Sequence, residues 1–256
     1  MSGALEISMV GMRAQQRALE TVAGNISNVN TPAFKRVDLR FSELIGTSPV
    51  DSAGAIARRS PDAVAGVTSW TLPSLDSQGR IEATGNPQDL AIDGSGFVEV
   101  LGPSGKSLLW RGGSVRIMED GALATSSGQI LKAGITVPLD ATSLRIDREG
   151  NVFVTQSGNP QETQIGEIGL VRVLDPSAIE RLDGGVYALH DEAGVLAGRP
   201  GEDGLGNLVQ ASIERSNVDL NSEMIALLIA QRAYAANAQV ARAADEFYGI
   251  ANGLRR

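Results

Sequence analysis

Cysteine is absent from this chain of 256 residues, and the sequence contains a single histidine, His190. The absence of cysteine excludes disulfides, thiolate metal ligands and thiol nucleophiles. One histidine with no serine-nucleophile motif near it does not make a catalytic pair, so we interpret His190 as a rim residue of a strand.

Aromatic residues are also few, at 4% of the chain, whereas glycine occurs 30 times. Few rings and many glycines favour short strands joined by tight turns over one large apolar core. The formal charge is −8, and no run of basic residues occurs. We therefore expect no nucleic-acid ligand, because neutralising phosphates requires clustered Lys and Arg side chains.

Long apolar runs are missing as well. The longest clean run, residues 224–230, is far shorter than the roughly 20 residues that a membrane-spanning helix needs. Charged and amide side chains between Glu6 and Glu20 interrupt any candidate signal-peptide core. We expect no transmembrane segment, and any export would use a route that does not read a cleaved signal.

Motifs of enzyme chemistry do not occur in a convincing form. Residues 102–107 (GPSGKS) resemble a phosphate loop, but Val100 stands where that pattern requires glycine, and residues 108–110 continue as a strand rather than a helix. We interpret this stretch as a hairpin turn. No zinc-protease, nucleophile-elbow or dinucleotide-binding pattern is present. The prediction is a protein that is not an enzyme, without catalytic, cofactor-binding or metal-binding residues.

Both ends of the chain show a helical pattern. Near the N-terminus, residues recur in alternating steps of four and three, which is typical of a heptad seam on a helix. This first stripe consists of Leu5, Met9, Met12, Gln16, Leu19, Ala23 and Ile26. The helix is expected to stop in residues 28–32, because Pro32 disfavours helical geometry at Thr31.

The C-terminal segment, residues 219–254, repeats this pattern. Asp219 is a plausible N-cap, and Glu223 suits the positive end of the helix dipole. The second stripe consists of Leu220, Met224, Leu227, Gln231, Tyr234, Ala238 and Ala241. Nothing adjacent in the chain could easily cover either stripe. We expect the two helices to cover each other, or to cover copies from neighbouring subunits.

Between the helices the sequence changes character. Residues 47–73 are rich in Ser, Pro, Ala and Gly, which indicates an extended or flexible segment. Short alternating runs then predict strands at residues 97–101, 114–118, 122–125, 129–131, 144–146, 152–154, 168–174 and 186–190. The predicted fold class is α+β: residues 1–33 and 217–256 form a coiled-coil-like helical domain, residues 34–88 an extended bracing linker, and residues 89–216 a β-rich outer domain.

Five stretches, in order, resemble the rod and hook proteins of the bacterial flagellum. Residues 25–35 (NISNVNTPAFK) resemble that family's N-I-A-N-x-x-T-P-G-F-K signature, and residues 216–224 with 231–234 resemble its C-terminal end. Residues 89–97 and 125–128 look like its β-domain motifs. Residues 135–144 and 154–156 look most like the distal-rod member.

The resemblance implies a structural subunit of the flagellar rod that is exported unfolded through the type III apparatus. It would polymerise in the periplasm beneath the rod cap, alongside other rod and hook proteins, into a helical shaft that transmits motor torque to the hook. No cofactor is implied. The residues expected to carry self-assembly are Leu5, Met9, Met12, Leu19, Ile26, Asn28, Thr31, Pro32, Phe34, Leu220, Met224, Leu227, Gln231 and Tyr234.

Two departures from the family pattern stand out. Ala33 replaces the usual glycine, which costs about 1 kcal/mol if the backbone there needs a positive φ. Residues 47–73 lack a glycine-rich entry, so a proximal-rod subunit remains an alternative. A monomeric β-rich binding protein with an intramolecular helical hairpin is another. A secreted carbohydrate-active enzyme is a third, against which the low aromatic content argues.

Overall fold

The computed structural model describes residues 2–44, 66–75, 77–103, 105–175, 178–182, 185–189 and 194–253. The fold is α+β, as predicted, and the chain divides into two units. The first, which we call the helical unit, comprises Met1–Ser27, Val37–Leu72 and Asp219–Arg256. The second, the β unit, comprises Asn28–Arg36 and Pro73–Val218.

The helical unit is built on the two terminal helices. They are α1 (Ser2–Ser27) and α2 (Leu220–Gly253), accompanied by a two-stranded sheet of β1 (Val37–Leu44) and β2 (Gly66–Pro73). The carboxylate of Asp219 accepts hydrogen bonds from the backbone N–H groups of Asn221 and Ser222, each at 3.3 Å. Asp219 is therefore the N-cap of α2, which confirms the prediction.

The β unit consists of short strands. They are β3 (Ile81–Ala83), β4 (Asp89–Asp93), β5 (Val98–Leu101), β6 (Ser107–Trp110), β7 (Gly112–Ile117), β8 (Leu123–Thr125), β9 (Ile130–Leu131), β10 (Ala141–Ile146), β11 (Asn151–Gln156), β12 (Asn159–Glu167), β13 (Leu170–Val173), β14 (Ile179–Arg181), β15 (Val186–Leu189), β16 (Val195–Gly198), β17 (Asn207–Gln210) and β18 (Ser212–Glu214). The largest sheet has the order β14-β15-β6-β5-β9-β8-β7-β4-β17, and smaller sheets are β10-β11-β12, β13-β16 and β18-β3.

Two hairpins predicted from turn residues are present. β5 pairs antiparallel with β6, with Val98 opposite Trp110 and Leu101 opposite Ser107, and a strand rather than a helix follows the GPSGKS sequence. β10 pairs antiparallel with β11, with Ile146 opposite Val152. The strand predicted at residues 186–190 corresponds to β15, and His190 lies outside the described residues. The strands β1 and β2 were not predicted from the sequence.

Aliphatic side chains from several sheets form the main core of the β unit. Leu90, Ile92, Val100, Val152 and Ile168 are completely buried there. A smaller cluster surrounds Phe97 and Tyr187, whose rings meet edge to face with centroids 5.4 Å apart. Within the part of the chain that the structure describes, no helix combines the length and apolar character needed to cross a membrane.

Candidate self-assembly surface

The two terminal helices pack against each other in antiparallel directions. Gly11 of α1 lies beside Asn237 of α2, since a Cβ atom at Gly11 would come within 2.8 Å of the Asn237 Nδ2 atom. Near the other end of the pair, Asn25 Nδ2 donates to Glu223 Oε2 at 3.3 Å. These two contacts, Gly11 with Asn237 and Asn25 with Glu223, show that α1 and α2 run antiparallel.

Small and polar side chains dominate this helix contact. The buried residues on the two helices are Ser8, Ala14, Val22, Asn25, Glu223 and Ala230. Side chains of this size allow two helix backbones to approach closely. Asn25 also exchanges hydrogen bonds with Val37, its Nδ2 donating to the carbonyl at 3.0 Å and its Oδ1 accepting from the N–H at 2.9 Å. Asn25 thus joins α1 to both β1 and α2.

The bulky stripes predicted from the sequence lie beside this contact rather than in it. The more exposed members are Met9 (40% exposed), Leu220 (38%), Met224 (50%), Tyr234 (41%) and Gln231, and the half-buried members are Met12, Leu19, Ile26 and Leu227. Leu5 lies in the first turns of α1. At about 100° per residue, each stripe is displaced from the buried contact by roughly a quarter of a turn.

Both stripes are displaced toward the same side of the helix pair. On each helix the displacement has the same rotational sense when viewed from the N- to the C-terminus. Because the helices run antiparallel, equal rotations turn the two stripes toward one common side. The hydrogen bond from Arg17 to the Ser69 hydroxyl, at 2.9 Å, places β2 on the opposite flank of α1. The stripes therefore form one broad apolar face, which we call the open face.

Helix α2 also exposes large apolar side chains that the sequence prediction omitted. Ile225 (59% exposed), Leu228 (55%) and Ile229 (63%) lie outside the α1 contact, and Leu228 follows Met224 by about one helical turn at the edge of the open face. A helix that is apolar on several sides is normally buried on several sides. The signal was present in the sequence, because residues 224–230 form the longest apolar run, but a single four-three template selects only one stripe.

The four predicted residues that follow α1 belong to the β unit, whereas the stripes belong to the helical unit. Thr31 closes a turn by donating from its N–H to the Asn28 carbonyl and from its hydroxyl to Asn28 Oδ1, both at 3.1 Å. Pro32 is exposed, and Phe34 is buried beneath the Arg181 guanidinium, 4.2 Å from the ring centroid. These residues shape the segment that leaves α1.

Ala33 in this segment has a φ of 54°, and its side chain is buried. The position therefore needs the left-handed conformation that glycine provides in the family signature. Ala211, between β17 and β18, has a φ of 57° and is half-buried. A left-handed alanine costs roughly 1 kcal/mol relative to glycine.

Replacing these alanines by glycine tests the strain. Ala211→Gly is expected to raise the free energy of unfolding by about 0.5–1 kcal/mol. Ala33→Gly is expected to change it little, because losing a buried methyl group costs about 0.8 kcal/mol. Urea titration followed by circular dichroism measures both. Ala197→Gly is the control, since this exposed residue of β16 has an ordinary strand conformation and should be destabilised by the change. Equal changes in the free energy of unfolding for Ala211→Gly and Ala197→Gly would show that the backbone at Ala211 is not strained.

Buried charges join this segment to the strands of the β unit. The Glu214 carboxylate is inaccessible to solvent and accepts from Lys35 Nζ at 2.7 Å, from Arg111 Nε at 2.9 Å and from the Gly79 N–H at 2.8 Å. Arg111 also donates to the carbonyls of Gly94 and Gly96, both at 2.5 Å. Burial, together with the Arg111 charge, lowers the pKa of Lys35, and Glu214 opposes this shift. We call these residues the Glu214 cluster.

Asn217 completes the connection. Its Oδ1 accepts from the Arg36 N–H at 2.6 Å, and its Nδ2 donates to the carbonyls of Ser74 at 3.2 Å and Ser77 at 2.8 Å. Ser74 in turn donates to the Arg36 carbonyl at 2.7 Å. The Asn217 side chain therefore connects its own segment to two segments of the β unit that are remote from it in sequence. Asn217 lies in the C-terminal motif, but its partners could not be read from the sequence.

Metal-ligating side chains are not grouped in the described ranges, where no set of three or more His, Cys, Asp or Glu residues could hold an ion. The two terminal helices, by contrast, expose several large apolar side chains.

Three protein-family models match the chain in order. Residues 5–35 match the model for flagella basal body rod proteins, residues 91–154 match the D1 domain of the flagellar hook proteins FlgE/F/G, and residues 209–254 match the C-terminal region of the basal body rod proteins FlgEFG. A protein of Caulobacter vibrioides named flagellar basal-body rod protein FlgG is 34% identical over 98% of this chain and 99% of its own length. The chain belongs to the FlgG family of flagellar basal-body rod proteins.

Other FlgG proteins agree with this assignment. The FlgG of Borreliella burgdorferi is 32% identical over the full length of both chains, and that of Agrobacterium fabrum is 31% identical over 96% of this chain and 97% of its own. The resemblance to rod and hook proteins found in the sequence is therefore confirmed, as is a structural role in the flagellar basal body.

Proposed function

We propose that this FlgG-family chain is a structural, non-enzymatic subunit of the distal rod that assembles helically with copies of itself. The shaft so formed would transmit torque from the motor to the hook. Family membership supports the rod assignment, and the shared FlgG name of its full-length relatives favours the distal over the proximal rod. The partners we propose are other rod and hook proteins, the rod cap and the type III export apparatus, with the subunit located in the periplasm after export without signal cleavage.

The open face is the observation that carries the assembly proposal. Met9, Met12, Leu19 and Ile26 share this side of the helix pair with Leu220, Met224, Leu227, Gln231 and Tyr234; the sequence pattern assigns Leu5 to the same stripe. Large apolar surfaces of this kind mark sites of protein association. The open face of one copy would pack against a different surface of the next copy, because only head-to-tail contacts that do not close into a ring generate a filament.

The spacing of the buried helix residues supports a coiled-coil-like packing within each subunit. On α2 the contact residues Glu223, Ala230 and Asn237 recur every seven residues, as in a heptad seam. Because small residues fill the α1–α2 contact while the bulky apolar residues stay exposed on the open face, the helix pair alone would be only marginally stable. Burial of the open face by neighbouring copies would then stabilise both helices.

Amide hydrogen exchange on the full chain, before and after concentration to drive assembly, tests this proposal. We expect amides of α1 and α2 to exchange readily in the monomer and to become protected by roughly 100-fold or more in the filament. Amides of the buried strands of the β unit serve as the internal control, because their protection should be the same in both states. A monomer whose helices are already fully protected and that never elongates would contradict the proposal and favour a monomeric binding protein.

A further inference from the structure

A polar groove of about 590 Å³ lies within the β unit. Its walls include the Asn28–Pro32 turn, the Gly112–Ser114 end of β7, Ser126 and Ser127, and Arg181 at the end of β14. The volume suits a side chain or a small ligand. Residues of the family signature line this groove, whereas the residues of the open face do not.

Arg181 lines this groove, and its contacts with the described residues are unusual for a cation. Its guanidinium lies over the Phe34 ring, its Nε atom is buried without a hydrogen-bond partner, and it forms no ion pair with any described residue. Burying a charged donor without an acceptor is unfavourable, so such groups are normally paired. Lys35 and Arg111, the buried cations of the Glu214 cluster, show the normal pattern.

The carboxylate that lines the same groove, that of Asp89, forms no ion pair with Arg181. Asp89 Oδ1 accepts from Ser114 at 2.6 Å and from Asn86 at 3.2 Å, while its Oδ2 accepts from Thr84 at 2.7 Å. Both oxygens of Asp89 are therefore engaged by neutral donors. Asp89 keeps its negative charge, but its oxygens are engaged by neutral donors, so the described residues leave the Arg181 guanidinium without a directly paired carboxylate; Ser126 and Ser127 complete the lining.

We propose that the Arg181 groove binds the carboxylate of an acidic side chain from a neighbouring copy of this chain. A guanidinium presents parallel N–H donors that match a carboxylate, and hydrogen bonds between charged groups are stronger than neutral ones. Each copy carries 30 acidic against 22 basic residues, so a neighbour presents an excess of carboxylates. This inference rests on the proposed self-assembly, which brings a second copy to the groove.

Substituting Arg181 in the full chain tests the role of the groove in assembly. Arg181→Gln is expected to raise the critical concentration for assembly roughly tenfold, measured by sedimentation, because one charge-assisted contact per subunit is lost. The effect should shrink in high salt. Arg148→Gln is the matched control, since it removes the same charge from an exposed position. Equal shifts in the two variants would overturn the proposal, because net charge alone would explain them.

A second experiment separates the groove from the helix-driven assembly. In the Met224→Glu variant, kept monomeric by its altered open face, glutarate is titrated while the Nε–H resonance of Arg181 is followed by NMR. A saturable shift in the millimolar range is expected, with none on adding neutral glutaramide. No shift would overturn the carboxylate site even if the chain assembles through its helices.

The remaining outcomes distinguish the two proposals. If glutarate binds but Arg181→Gln leaves the critical concentration unchanged, the groove takes a carboxylate from a source other than a second copy, and the proposed occupant is wrong. If Met224→Glu assembles like the unaltered chain, the open face is not the assembly surface, yet the glutarate titration still decides whether the groove binds carboxylates.

Discussion

Placing a carboxylate at Met224 is expected to stop assembly of this chain while leaving its β unit folded. Met224 is half exposed on the open face, so the Met224→Glu monomer tolerates the charge in water. In an assembled neighbour the same carboxylate would be buried without a partner, at a cost of about 3–5 kcal/mol. This corresponds to a rise of roughly 100-fold or more in the critical concentration.

Sedimentation velocity over a concentration series measures this effect. Gln239→Glu is the matched control, because it adds the same charge at an exposed polar position of the same helix. Circular dichroism and thermal unfolding should show an unchanged β unit in both variants. Normal filaments from Met224→Glu, or an equal loss with Gln239→Glu, would show that the open face does not carry assembly.

Removing the charge of Glu214 is expected to destabilise the β unit more than any other single substitution considered for it. Glu214→Gln keeps the side-chain size but leaves the Lys35 and Arg111 cations buried without an anion. Breaking a buried ion pair in this way costs about 3–5 kcal/mol. The free energy of unfolding from urea titration measures the loss.

The control for this prediction is an ion pair at the surface. Arg145 and Glu162 are about half exposed and 2.5 Å apart, so Glu162→Gln should leave the urea midpoint nearly unchanged. Adding Lys35→Met to Glu214→Gln should restore part of the lost stability, because one uncompensated cation is removed. A Glu214→Gln protein as stable as Glu162→Gln would show that the cluster contributes little.

Local patterns predicted the elements of this fold well. The predicted N-cap at Asp219 identified the start of α2, and the predicted helix end before Pro32 identified the end of α1. Glycine-containing turns identified the β5–β6 and β10–β11 hairpins. These features depend on a few neighbouring residues, which a sequence shows directly. The strands β1 and β2 were missed because residues 45–65 separate them and no turn signal links them.

The helix contact was harder to predict. Periodicity showed that each helix has an apolar stripe, but it could not show that Gly11, Asn25, Glu223 and Asn237 would form the closer contact. Small residues contribute little to a hydrophobic pattern in the sequence. Their contribution to packing depends on how closely the backbone of the partner helix approaches. The role of the bulky stripe in self-assembly stays a prediction that only the assembled state can test.

The Glu214 cluster and the Arg181 groove lie beyond the reach of sequence patterns. Glu214 meets Lys35 across 179 positions and Arg111 across 103. No spacing rule links residues so distant, because sheet topology alone brings them together. The left-handed φ of Ala33 could be suspected from the family signature, but the structure was needed to show it.

Asn217 has a mechanical consequence. The chain passes between the two units after Ser27, Arg36, Leu72 and Val218. Asn217 lies beside the last of these connections, and its amide binds Arg36 and Ser74 beside two others. Tension entering the β unit through these three connections would therefore be shared by one small set of hydrogen bonds.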